Sequence, residues 1–222
     1  MTFADRILDF YASLEINEKL PEGIEILNPY KNKEVMAACT AFYKKYYNDT
    51  KGRIMILGIN PGRFGAGVTG IPFTDPVKLE KECNIKNSFE KRGELSSEFV
   101  YRLISQMGGP DHFYRHFYLG AVSPLGFVKD GKNYNYYDSR ALTHTLKSFI
   151  TKSLVEQIGF GIKFKRAYVL GQGKNYEYLK MLNLDLKLFD ELIPLPHPRW
   201  VMQYRRKQLS EILDKTIKTL IT

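Results

Sequence analysis

The sequence predicts an α/β fold built on a mostly parallel, four-stranded sheet. Short continuous apolar runs read as buried strands. Segments with apolar residues three and four apart lie between them and read as helices. Strand and helix alternate along the chain, the order that places strands parallel in one central sheet.

In order, residues 4–14 and 34–47 carry helical apolar spacing, and "PEGIEILNPY" between them reads as a loop. "RIMILGI" from Arg53 is the first buried strand. Residues 60–76 form a connection long enough to suggest a functional loop, and too apolar for disorder. "SSEFVYRLISQMGG" reads as a helix capped by Ser96 or Ser97 and ended at Gly108 and Gly109. "HFYLGAVSPLGFV" is a second strand with a turn at Ser123 and Pro124, and "SRALTHTLKSFITKSLVEQIGF" is one long helix. "RAYVLGQGKNYEYLKML" gives a strand, a glycine turn and a helix. "FDELIPLPHPRW" is the last strand, running into a His-Pro turn, and residues 204–221 form a basic amphipathic helix.

Sheets of this kind bind ligands beyond the carboxyl ends of their strands. All four strands carry distinctive residues there: Asn60, Ser123, Gly171 to Gly173, and His197.

The 222 residues, 44% hydrophobic and 14% aromatic, suit one domain over 1–222, with helices in 1–50 packed on it. No run approaches the roughly 20 apolar residues of a membrane span. The first residues lack a signal-peptide core, so the expectation is a soluble intracellular monomer without membrane contact. In a bacterium that means cytoplasm or nucleoid. Cys39 and Cys83 have no metal-ligand spacing, and no metal or cofactor is expected. The 33 basic and 24 acidic residues leave +9, which favours a polyanionic partner such as DNA.

Several residues admit a structural and a functional reading. Asn60-Pro61-Gly62 is common turn chemistry. The following glycines also let backbone approach a flat ligand and offer N–H donors. The Lys-Ser/Thr ending of a phosphate loop is missing, and the dinucleotide spacing does not fit. Phe73 is a core aromatic or a stacking face for a planar ring. His197 is a structural imidazole or a catalytic one. The cluster after it, Arg199, Trp200, Tyr204, Arg205, is a solvated helix start or a surface for a nucleic-acid backbone.

"GINPGRFGAGVTGIPF" resembles the first motif of the single-strand-selective monofunctional branch of the uracil-DNA glycosylase superfamily. Gly58, Asn60, Pro61, Gly62, Phe64, Gly65, Thr69, Gly70, Pro72 and Phe73 match it without a gap. "HPRW" is similar to the start of the second motif, and "RWVMQYR" resembles a bacterial sub-branch. The resemblance spans roughly residues 53–210 and implies a three-layer α/β/α sandwich of the uracil-DNA glycosylase type.

It further implies that Asn60 positions the water attacking the sugar and that His197 donates to the departing base. A base pocket would comprise Gly62, Phe64, Ala66, Phe73, Ala121 and Ser123, with Phe73 stacking on a base flipped from the helix. Arg199, Trp200, Val201, Met202, Tyr204 and Arg205 would contact single- or double-stranded DNA, with Trp200, Val201 and Met202 as candidates for a wedge. No lysine nucleophile stands at a matched position, which points away from Schiff-base chemistry.

One departure is specific. The family's second strand ends in an Asn that reads the base, and Ala121 stands there in "YLGAVSPL". An alanine cannot supply the paired donor and acceptor of an amide. Ser123, backbone of the glycine loop, or an Asn from "KNYNYYD" are the substitutes left open. Three functions therefore stand: a monofunctional glycosylase, a catalytically silent DNA-binding module on the same fold, or a small-nucleotide-binding protein.

Overall fold

The computed structural model describes residues 1–221, leaving aside the side chain of Phe164. The chain runs α1 (Phe3–Ser13), β1 (Ile24–Leu27), α2 (Lys33–Tyr46), β2 (Arg53–Gly58), α3 (Ala66–Thr69), α4 (Pro76–Lys81), α5 (Leu95–Gln106) and α6 (Gly109–His116). It continues through β3 (Phe117–Ala121), β4 (Gly126–Lys129), β5 (Lys132–Tyr134), α7 (Arg140–Thr145), α8 (Lys147–Ile158), β6 (Ile162–Leu170), α9 (Lys174–Leu186), β7 (Glu191–Leu195), α10 (Pro198–Tyr204) and α11 (Leu209–Ile221).

The central sheet has the order β3-β2-β6-β7. All three pairings are parallel, so the expected α/β architecture is present. Register sets the ends level: Gly58 pairs with Ala121, Leu57 with Val169, and Leu170 with Leu195. The four carboxyl ends thus meet on one side, where parallel sheets with crossover helices leave a crevice.

β2 lies between β3 and β6, and its first residue anchors it. Arg53 is fully buried, its guanidinium lying over the rings of Phe3 and Tyr47 at 4.8 and 5.0 Å. It pairs with both oxygens of Asp49, at 2.5 and 3.0 Å, and donates to the carbonyls of Tyr46, Lys51 and Tyr114. A buried charge is tolerable only when its donors are met in this way.

The core is rich in tyrosine, whose hydroxyls find partners in one another. Tyr43 donates to Tyr11, and Tyr11 is bonded to Tyr118. Tyr118 donates to Gln157, which in turn donates to the Ala121 carbonyl at 3.1 Å. A polar chain therefore runs through the core to the end of β3.

Four local expectations need correction. The stretch read as a loop at 21–30 contains β1, which joins β4 and β5 in an antiparallel sheet of order β1-β4-β5. β1 has only four residues, two of them exposed, and its partner Lys129 lies far along the chain, so local periodicity could not reveal it. The long helix at 139–160 is two helices parted at Leu146, with Ser139 capping α7. α5 starts after Glu94, and Ser97 instead accepts the Asp75 N–H. The His-Pro turn opens directly into α10, so the tail helix begins at Leu209. Pro198 at the first helical position has no N–H to satisfy and a φ already suited to a helix.

Candidate active site

The strand ends extend their pairing by two residues. Val122 N–H donates to the Gly58 carbonyl and Ser123 N–H to the Ile59 carbonyl, each at 3.0 Å, and Gly171 N–H donates to Leu195 at 2.9 Å. This brings Asn60, Ala121 and His197 to one cavity of about 390 Å³. That volume falls within the range of pockets that enclose a small ligand.

Asn60 is held at both ends of its amide. Oδ1 accepts the Tyr136 N–H at 3.1 Å, and Nδ2 donates to the carbonyls of Tyr134 and Pro61 at 3.3 Å. These partners fix which end is oxygen, because a backbone N–H can bond only the oxygen. A second lone pair on Oδ1 stays available.

Asn60 opens a loop that folds back on itself rather than fluctuating. Thr69, fully buried, donates to the Thr74 carbonyl at 2.6 Å and accepts the Ile71 N–H. The loop delivers Phe73 into the cavity with φ of +56°, a left-handed value that costs a non-glycine residue energy. Its ring lies against Gly58, where an added Cβ would sit 2.6 Å from the ring. Gly58 is thus required by close approach.

His197 lines the cavity after β7. Its pKa is lowered, first by burial and then by the positive charge of Arg199, so the imidazole is neutral at neutral pH. Arg199 lines the same cavity.

Glu94, which the sequence did not single out, also faces the cavity. Asp75, itself buried, accepts the Glu94 N–H at 2.9 Å and the Lys78 N–H at 2.8 Å, tying α4 to the start of α5. The Glu94 carboxyl is pushed up from its usual range by burial, pulled down by Arg199, and raised further by Asp75. An acid just ahead of a helix reads as surface charge, so no local signal marked it. Asn133, Asn135 and Tyr137 also line the cavity. All three lie in the "KNYNYYD" stretch noted above.

Of the other expected pocket residues, Gly62, Ala66 and Ala121 line the cavity, while Phe64 and Ser123 do not. Ser123 is fully buried and donates to the Leu125 carbonyl at 2.7 Å. Phe64 lies outside, with the guanidinium of Arg92 3.5 Å and that of Arg63 4.9 Å from its ring centre. On α10, Trp200 and Tyr204 are exposed, and Arg205 lies 4.9 Å from the Trp200 ring centre. Val201 and Met202 are core residues, because helical spacing turns them inward, and that removes them as wedge candidates.

Comparison with known proteins bears on the family and the fold. The family model for the uracil DNA glycosylase superfamily matches residues 44–221. Among solved structures, wild-type SMUG2 of Pedobacter heparinus is similar over 99% of this chain and 97% of that one, at 43% identity and a TM-score of 0.96.

Proposed function

The chain belongs to the uracil DNA glycosylase superfamily, and on that premise we propose that it is a monofunctional DNA glycosylase acting in base-excision repair. It hydrolyses the N-glycosidic bond of uracil or a related deaminated base. The observation that carries this reading is the meeting of Asn60, Phe73 and His197 in one cavity at the sheet's carboxyl edge.

The chemistry follows from those groups. Glycosidic cleavage passes through an oxocarbenium-like state, so the sugar gains positive charge while the base leaves with negative charge on its oxygens. A neutral imidazole on His197 donates a hydrogen bond to that oxygen. Such a preorganised donor is worth about 3 to 4 kcal/mol of the barrier. The clamped Asn60 amide uses its remaining lone pair to hold water against the anomeric carbon. An amide is a weak base, so its role is orientation, which suffices when the base departs before much bonding to water. Phe73 supplies the stacking face that offsets the cost of leaving the duplex. Trp200, exposed beside Arg205, is the wedge on the DNA side, with Arg199 and Arg205 placed for phosphates.

A second reading, a silent DNA-binding module, is favoured by Ala121, which places no hydrogen-bonding side chain where the family reads the base. One assay separates the two. A uracil-containing oligonucleotide is incubated with the protein and then cleaved at abasic sites with alkali. The wild type should release uracil, and His197→Ala should lose about 10²- to 10³-fold in rate, with Asn60→Ala similarly impaired. Intact folded protein that yields no abasic sites rejects the enzyme. Trp200→Ala unchanged on both single- and double-stranded substrates rejects the wedge.

A further inference from the structure

Because Ala121 carries no polar side-chain atom, the base must be read from elsewhere in the cavity. Asn60 has committed its amide to Tyr134, Tyr136 and Pro61. Asn135 directs its Nδ2 toward Asp138 at 3.4 Å, and Ser123 is turned into the core. Glu94 and Asn133 both line the cavity, and they converge. Asn133 Oδ1 accepts the Arg63 N–H at 3.0 Å, which leaves its Nδ2 as the free end. A carbon built on Gly62 would lie 3.2 Å from that Nδ2 and 3.5 Å from Glu94 Oε1, so the two atoms flank one point above the glycine loop. Among the described residues, neither the Glu94 carboxyl nor Asn133 Nδ2 makes a hydrogen bond.

Glu94 is also positioned rather than loose. Its backbone is tied to Asp75, its side chain does not cap α5, and Oε2 rests on Gly65 so closely that an added Cβ would sit 1.9 Å away.

We propose that Glu94 and Asn133 form the base-reading edge of the cavity, the carboxyl accepting a ring N–H and Nδ2 donating to the neighbouring ring carbonyl. This assignment rests on the glycosylase reading above. It also defines a substrate class. Deamination replaces a bare ring nitrogen beside an amino group with an N–H beside a carbonyl. Uracil, hypoxanthine and xanthine all present that pattern. Cytosine and adenine present its reverse, setting a lone pair against the carboxyl and an amino group against Nδ2. A base that fills the cavity shuts these groups off from water, and groups left unpaired there are what makes such discrimination steep. Thymine and guanine share the N–H and carbonyl edge, so this pair does not distinguish them.

The test uses oligonucleotides carrying one uracil, one hypoxanthine, or one N3-methyluracil, the last of which lacks the ring N–H. The wild type should prefer uracil by about 100-fold or more in kcat/KM. Glu94→Ala should lower the uracil value about 10- to 100-fold, the span of one hydrogen bond to a charged group, without lowering the N3-methyluracil value, so the preference collapses. Glu94→Gln keeps an accepting oxygen and should retain most of it. Asn133→Ala should lose about three- to tenfold on uracil. Gly65→Ala, whose methyl displaces the carboxyl, should reproduce Glu94→Ala independently. An unchanged preference in both Glu94→Ala and Gly65→Ala overturns the assignment while leaving the glycosylase reading intact. Folded wild type that releases neither uracil nor hypoxanthine overturns both.

Discussion

His197 lies in a wall that strips its imidazole of water, and Arg199 adds a positive charge beside it. Both effects penalise the protonated ring, burial more than the charge. Its folded pKa therefore falls below the ordinary imidazole value of about 6.5. The sign for stability follows. As pH drops through about 6.5 the unfolded chain takes up the proton first, so this histidine costs the fold stability on the acid side and nothing above it. An NMR titration of the imidazole should give a midpoint below about 6.5, and Arg199→Ala should raise it part of the way back. A midpoint at or above the ordinary value would remove the basis for a neutral donor. Glu94 makes a complementary point. A side chain with no motif around it becomes a cavity residue because Asp75, 19 positions away, fixes its backbone.

β2 carries the site, since Asn60 lies two residues past its end, and Arg53 holds the strand at its other end. Removing that guanidinium leaves Asp49 and three backbone carbonyls without their donor. Loss of one partner from a buried pair costs about 3 to 5 kcal/mol. Asp49 is 36% exposed, so the lower end applies. Arg53→Met should destabilise by about 3 kcal/mol, seen as a fall of roughly 6 to 12 °C in a reversible melt. The partnership also has a pH signature. Asp49 is held below the usual carboxylate range by hydrogen bonding to Arg53, so its stabilisation is present above the unfolded carboxylate pKa and fades as pH falls through the folded one. A melt shifted by less than about 2 °C, corresponding to under 1 kcal/mol, would show that the pair merely fills space. α10 teaches a related lesson at the other side of the cavity. Once His197-Pro198 starts a helix, its spacing sends Val201 and Met202 to the core and Trp200 and Tyr204 to solvent.

The whole molecule carries a formal +9; Arg199 lines the cavity, and Arg205 lies over the exposed Trp200 ring at the end of α10. Association with DNA should therefore weaken steeply with salt, because each neutralised phosphate releases condensed counterions. In a plot of log Kd against log salt for an uncleavable duplex, Arg205→Ala should reduce the slope by about one unit. An unchanged slope would take Arg205 off the phosphate backbone. No described helix is long and apolar enough to cross a membrane.

What could be read in advance divides along physical lines. The four sheet strands, the glycine loop, Asn60 and His197 were legible because each is written in neighbouring residues: apolar runs, turn chemistry and a contiguous motif. The antiparallel sheet, the break at Leu146 and the burial of Ser123 were not, since they depend on partners or packing that no local pattern specifies.

By itself, then, the sequence determined which residues end the central strands, because period and turn signals act over a few positions. Only the tertiary structure decided what surrounds them. The clamp on Asn60 comes from Tyr136, 76 positions away, and the convergence of Glu94 and Asn133 on Gly62 brings the start of a helix and a short strand to one loop. Such contacts are set by how layers pack, and packing is a property of the whole chain rather than of any window within it.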